Sequence, residues 1–249
     1  MSVEVRNVKI GEGIPKICVP IIGSTYDEII NAAKKIKSEP FDIVEWRVDF
    51  FEDVFSHDKV ETAATGLREV LIDAPILLTF RTKNEGGEKA IDGITYTSLL
   101  NFVSSLDSID LIDVEIFFAE ADVAGIIKTA HSNNKKVVAS NHDFNKTPAH
   151  DEIIARLSKM DSLDADILKI AVMPQSKGDV ITLLSATVDA EEKVNSKPIV
   201  TISMGQTGLI SRISGSFTGS AITFGTVGKA SAPGQIDSAK LSNILNLIG

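Results

Sequence analysis

Cysteine is almost absent: Cys18 is the only one in 249 residues, so no intrachain disulfide can form. It sits in the apolar run ICVPII and reads as a small buried hydrophobe in a reducing compartment. Positive charge is scarce too. Twenty-five lysines and arginines face 34 acids, and the net charge of -9 argues against nucleic acid or acidic lipid as a partner. Any anion must therefore be bound by a local cluster of cations. No apolar run approaches the length of a membrane span, and the opening MSVEVRNVKIGEG lacks the order of a secretory signal. The expectation is a cytoplasmic protein with no membrane partner. A P-loop and a G-x-G-x-x-G turn are both missing, and no G-x-S-x-G elbow is present, which removes motif support for nucleotide binding and for a serine hydrolase. Without H-x-H or C-x-x-C spacing, no metal site is expected.

What is present is rhythm. Eight short apolar runs recur: KICVPIIG (16–23), IVEWRVDF (43–50), PILLTFRT (75–82), LIDVEIF (111–117), KKVVASNHDF (135–144), ILKIAVMP (167–174), PIVTISMG (198–205) and AITFGTV (221–227). They are rich in Val, Ile and Phe and too short for core helices. Between them the period changes to that of a helix. Tyr26, Ile29, Ile30, Ala33 and Ile36 form one stripe, and Val60, Ala63, Ala64, Leu67, Val70 and Leu71 form another. Leu99, Leu100, Val103 and Leu106 repeat the pattern, followed by Ile153, Ile154, Leu157 and Met160, and finally by Leu241, Ile244, Leu245 and Ile248. The strands recur at roughly the spacing of a βαβ unit. Unbroken alternation with no linker predicts an α/β fold: one (β/α)8 TIM barrel over residues 1–249, with residues 1–14 as a hairpin closing the barrel floor. A doubly wound open sheet is the competing architecture.

Barrel active sites lie at the C-terminal ends of the strands, and the unusual polar residues gather there. Glu45, Arg47 and Asp49 are two apart on strand two and share a face. Arg81 stands at the tip of strand three, with Glu85 in the loop beyond. Asp113 and Glu115 share a face of strand four. His142, alone of the four histidines, occupies a strand tip; His57, His131 and His150 read as surface residues. Lys169 lies inside the apolar strand DADILKIAVMP, where a lysine is out of place unless it is paired or is a nucleophile. Arg212 follows a glycine-containing turn after strand seven. Ser231 and Gln235 sit in the Gly/Ser/Ala/Pro loop after strand eight, within residues 225–236, which reads as mobile.

A lysine and a histidine on adjacent strands suit imine chemistry. A neutral amine attacks a ketone, the protonated imine acidifies the neighbouring carbon, and the histidine takes that proton. Arg47, Arg81 and Arg212 supply charge for an anionic substrate. Two other readings stay open on these residues: a Schiff-base barrel of the aldolase or transaldolase type, and a non-catalytic binding barrel.

Taken together and in order, EWRVDF, TFRT…EGG, IDVE, SNHDF, LKIAVMP, MG…G…SR and SAPGQ resemble type I 3-dehydroquinate dehydratases over essentially the whole chain. That resemblance implies a TIM barrel, usually a homodimer, that dehydrates 3-dehydroquinate to 3-dehydroshikimate in the shikimate pathway, on the way to chorismate and the aromatic amino acids, with no metal or organic cofactor. It implies that Lys169 forms the imine, that His142 is the base and then the acid of a syn elimination, and that Glu85 orients His142. Glu45, Arg47 and Arg81 would hold ring hydroxyls. Arg212, Ser231 and Gln235 would clamp the carboxylate, and Asp113 would support the site from behind.

Overall fold

The structure, a computed structural model, describes residues 2–118, 121–193, 197–228 and 230–249. The chain opens with an antiparallel hairpin, β1 (Val3–Val5) and β2 (Val8–Ile10). Strands and helices then alternate: β3 (Lys16–Ile21), α1 (Tyr26–Ile36), β4 (Ile43–Arg47), α2 (His57–Leu71), β5 (Ile76–Thr79), α3 (Gly93–Ser104), β6 (Leu111–Glu115) and α4 (Val123–Ser132). The second half runs β7 (Lys136–Asp143), α5 (His150–Ser162), β8 (Ile167–Val172), α6 (Lys177–Lys193), β9 (Ile199–Ser203), α7 (Ile210–Ile213), α8 (Gly215–Thr218), β10 (Ile222–Thr226), β11 (Ile236–Asp237) and α9 (Ser238–Ile248). Short 3-10 turns at Val48–Phe50 and Lys83–Glu85 follow β4 and β5.

The strands pair in parallel in the order β11-β10-β3-β4-β5-β6-β7-β8-β9. The sheet closes where the Ala221 N–H donates to the Ile199 carbonyl (2.8 Å) and Ser220 bridges Ile199. A ring of eight parallel strands results, and the open-sheet alternative is set aside. Strand alternation then decides which side chains go in. Cys18, Ile43, Leu77, Leu111, Val138, Ile167, Val200 and Ile222 pack inside the lower barrel, and Val5, Val8 and Ile10 of the hairpin plug it from below. Trp46, one residue out of phase with Glu45, joins the outer core between strands and helices.

The floor is also fastened electrostatically. Asp42, Asp110 and Asp166 each stand immediately before β4, β6 and β8 and reach back to the preceding strand. They accept from the backbone N–H groups of Ile17 (2.7 Å), Ile76 (2.8 Å) and Val137 (2.9 Å). Charge-assisted bonds of this kind are about twice as strong as neutral ones and pin the register of neighbouring strands. At the opposite end, Thr25, Asp92, Asp122 and Asp237 cap α1, α3, α4 and α9, each accepting from a first-turn N–H.

The sequence-based boundaries run long at the strand ends. β4 gives way to the 3-10 turn at Val48, and β5 ends at Thr79, so Arg81 sits beyond the strand. Asp49 is thus placed by a turn, yet its carboxylate still folds back onto Arg47. Tyr26, assigned to the buried stripe of α1, stays 41% exposed at the first turn. His131 and His150 are half-buried: His131 meets Asp166 (2.8 Å) and His150 meets Asp189 (3.2 Å). Among the described residues no helix is long and apolar enough to cross a membrane.

Candidate active site

Two residues above the apolar layer, the inner positions turn polar: Glu45, Thr79, Asp113, Ser140 and Lys169 are all buried. This level is a continuous network. Lys169 Nζ lies 3.3 Å from Asp113 Oδ2 and 3.6 Å from Glu45 Oε1, and 4.6 Å over the Phe224 ring. Thr79 Oγ1 donates to Glu45 (2.9 Å), and Ser140 Oγ donates to Asp113 (2.6 Å). The lysine is therefore both buried and paired. Burial alone would raise the Asp113 carboxyl, but the Arg81 and Lys169 charges outweigh it and hold Asp113 below the ordinary value.

Arg81 is the hub beside it. Its guanidinium meets Asp113 Oδ1 (2.9 Å), Glu115 Oε1 (2.7 Å), Ser140 Oγ (3.0 Å) and, more distantly, Glu85 Oε2 (3.6 Å). Burial would lower its pKa, yet the surrounding carboxylates of Asp113, Glu115, Glu85 and Glu45 raise it, so it stays charged. Glu115 is held in turn by the Thr82 N–H (2.8 Å) and hydroxyl (2.7 Å). Arg47 forms a two-pronged pair with Asp49, both bonds 2.8 Å.

The 3-10 turn after β5 swings Glu85 across to the tip of β7. Its Oε2 accepts the His142 backbone N–H (2.8 Å) and meets His142 Nδ1 (2.9 Å), while Oε1 accepts Asn141 Nδ2 (3.0 Å). Burial, and then the charges of Arg81, Lys169 and Arg47, push His142 well below the usual histidine value, leaving the imidazole neutral. Burial and the Glu115 carboxylate push Glu85 up to about 8, against the opposing effects of Arg81, Asn141 and the His142 N–H. With Glu85 ionised, Nδ1–H donates to the carboxylate and Nε2 presents a free lone pair. This arrangement forms as Glu85 ionises, when the pH rises through about 8.

Above the barrel, Arg212 on α7 is 2% exposed, and its NH groups donate to the Pro233 carbonyl (2.9 Å) and the Phe224 carbonyl (3.4 Å). Among the described residues, Nε has no hydrogen-bond partner and Arg212 has no ion pair. Burial lowers its pKa to about 10. A buried cation without an acid is a strong attractor for an incoming anion. The loop after β10 arches over it: Gln235 Oε1 accepts the Ser231 N–H (2.9 Å), and Gln235 Nε2 donates to Ser231 Oγ (3.1 Å). The Pro233 carbonyl accepts the Gly205 N–H (3.2 Å), which seats the loop on the end of β9.

These pieces surround one cavity. Glu45, Arg47, Arg81, Glu85, His142, Lys169, Arg212, Ser231 and Gln235 all line it. Asp113 alone of the expected set does not, and lies under Lys169 instead. Sequence reasoning passed over the apolar wall of Phe144, Ile202, Met204 and Phe224. Ile202 and Phe224 stand at inward strand positions that alternation would have marked, and Met204 continues the phase just past β9. Glu115 was noticed in the sequence but given no role, although it anchors Arg81.

Residues 17–249 match the family described as Type I 3-dehydroquinase. The chain belongs to the type I 3-dehydroquinase family. It is 53% identical over 247 residues to a 3-dehydroquinate dehydratase of Listeria monocytogenes serotype 4b, covering 99% of this chain and 98% of that protein. A crystal structure of the type I 3-dehydroquinate dehydratase of Clostridium difficile, with covalently modified comenic acid, superposes with a TM-score of 0.97 at 48% identity, covering 100% of this chain and 98% of that one. The Enterococcus faecalis 3-dehydroquinate dehydratase structure gives 0.92 at 43% identity, with 98% of each chain covered. This type I 3-dehydroquinase is a lyase of the shikimate pathway that dehydrates 3-dehydroquinate.

The seating of the loop can be tested directly. Gly234 has φ +78, and a Cβ there would lie 2.5 Å from the Gly205 carbonyl oxygen. Gly234→Ala is expected to unseat the loop and lower kcat/KM by about tenfold, with the fold intact by circular dichroism.

Proposed function

We propose that dehydration proceeds through an imine on Lys169 and a syn elimination run by His142. The Lys169 ammonium gives up a proton, the amine attacks the ketone carbon, and that proton returns to the carbinolamine hydroxyl, which leaves as water to give a protonated imine. His142 Nε2 removes a proton from the adjacent carbon, and the electron pair moves into the imine nitrogen to give an enamine. The enamine expels the hydroxyl one carbon further on, which leaves as water with the proton that His142 has just taken. Hydrolysis of the conjugated imine then frees the product ketone and restores Lys169. Glu85 holds the Nδ1–H and so aims Nε2. Glu45, Arg47 and Arg81 bind ring hydroxyls, Asp113 steadies Lys169 from below, and Arg212 with Ser231 and Gln235 takes the carboxylate.

The observation that carries this reading is register: Ser140 pairs with Lys169 and His142 with Ala171, so nucleophile and base stand on neighbouring strands facing the same cavity. The partnerless Nε of Arg212 supports an anionic substrate, and the covalently modified ligand of the Clostridium difficile relative supports a site of covalent chemistry. The test is stereochemical. With 3-dehydroquinate deuterated on one face of the carbon beside the ketone, the hydrogen lost should be the one on the face of the departing hydroxyl. Loss from the opposite face would remove His142 from its double role. Formation of the conjugated product, followed by absorbance, should be unchanged by chelator. Activity lost to chelator and restored by added metal would contradict the cofactor-free reaction.

The same reading takes residues 1–249 as one barrel domain, with 1–14 as its hairpin extension, working as a homodimer in the cytoplasm. An apolar face on α6, α7, α8 and α9, where Ile181, Ile210, Phe217 and Ile248 are exposed, supports association with a second copy. Sedimentation of a monomer at micromolar concentration would refute the dimer.

A further inference from the structure

The His142–Glu85 pair is itself tied to the outside of the barrel. Asn141 is next to His142 on β7 and is buried; its Nδ2 donates to Glu85 Oε1 at 3.0 Å, and its Oδ1 accepts from Arg156 at 2.8 Å. Arg156 belongs to α5 and does not line the cavity. Its Nε donates to Glu152 (2.9 Å), and its guanidinium lies 5.7 Å over the Phe117 ring. An amide can present either end to a carboxylate, and only the NH2 end is favourable. Arginine offers donors alone, so its contact with Oδ1 fixes which way the amide points.

Resting on the roles proposed above for Glu85 and His142, we propose that Arg156 is a positioning residue that acts through Asn141 to hold Glu85 as the acceptor of His142 Nδ1–H. The chain of contacts is Arg156 to Asn141 to Glu85 to His142, ending at the lone pair that does the work. Without Arg156, the Asn141 amide is free to turn its oxygen toward Glu85, where two acceptors oppose each other. The carboxylate then loses a donor that favours its ionised form and holds a proton more tightly. The base form of the pair appears only at higher pH. The other groups facing the pair stay in place: Arg81 beyond β5, Glu115 and Asp113 on β6, Arg47 on β4 and Lys169 on β8. Arg156 is thus the single charge in this chain of contacts that can be altered without entering the cavity.

The experiment is a set of pH–rate profiles for Arg156→Met, which keeps the aliphatic stem on Phe117, and for Arg156→Lys, which keeps a donor without an acceptor. Arg156→Met should lower kcat near neutral pH by about five- to twentyfold with KM nearly unchanged, and should move the acid limb of the profile toward higher pH. Arg156→Lys should recover most of the loss. Asn141→Asp sets a carboxylate against Glu85 and should move the limb further in the same direction. A profile for Arg156→Met that overlays the parent, or a loss equal at every pH and not recovered by Arg156→Lys, would overturn the proposal. Glu85→Gln separates the two levels: near-normal turnover there refutes the underlying roles of Glu85 and His142. A crippled Glu85→Gln beside an unaffected Arg156→Met refutes only this inference.

Discussion

Lys169→Met is expected to abolish turnover, lowering kcat by about four orders of magnitude or more, because the proposed reaction loses the group that turns a ketone into an electron sink. The same substitution carries a second, independent signature. Lys169 faces Asp113 and Glu45 with only 5% of its side chain exposed. Removing the cation leaves two buried carboxylates short of a partner, so the variant should also lose about 3 kcal/mol of stability. Urea denaturation measures that loss, and the residual bonds from Arg81, Ser140 and Thr79 keep the variant folded for the comparison. A stable variant that retains even a hundredth of the activity would contradict the nucleophile assignment. The methionine matters: it fills the lysine's place beside Phe224 inside the barrel without leaving a cavity, so lost rate cannot be traced to collapse of the strand.

His142→Ala separates two steps that Lys169→Met merges. The imine can still form, because the amine and the ketone-binding cavity remain, but the proton on the adjacent carbon has no acceptor. The expected fall in kcat is on the order of 10³-fold, the range of a positioned general base. Trapping with borohydride should still label the protein after addition of substrate, more slowly than in the parent. Turnover within a factor of ten of the parent would remove His142 as the base. Burial and three nearby cations keep this imidazole neutral, and Glu85 supplies the acceptor that directs its lone pair.

Much of this was readable from the chain because a barrel converts alternation into position. Once eight strands were counted, the parity of IVEWR placed Glu45 and Arg47 inside and Trp46 outside, and the structure keeps all three there. Lys169 stood out for a similar reason: its neighbours Leu168 and Ile170 advertise burial, and charge among them demands a reason. What strand parity could not show was the set of contacts made by side chains leaving the strands. Asn141 is out of phase with His142 and reads as an outward residue, yet at the strand tip it reaches Glu85, itself carried there by the turn Lys83–Glu85. Arg156, on α5, belongs to no apolar stripe and no strand tip, so spacing gives it no distinction. The aspartates at 42, 110 and 166 have backbone groups of another strand as partners, which no sequence spacing reveals. Helix α6 carried no marked stripe, since much of what it buries is alanine and threonine, with Ala186, Thr187 and Ala190 fully buried.

The most direct measurement is reduction by borohydride in the presence of 3-dehydroquinate, followed by mass spectrometry of the peptides. A reduced adduct is expected on the peptide containing Lys169, absent when substrate is omitted and absent in Lys169→Met. An unmodified Lys169 peptide after complete trapping, or an adduct on a different lysine, would contradict the account at its centre.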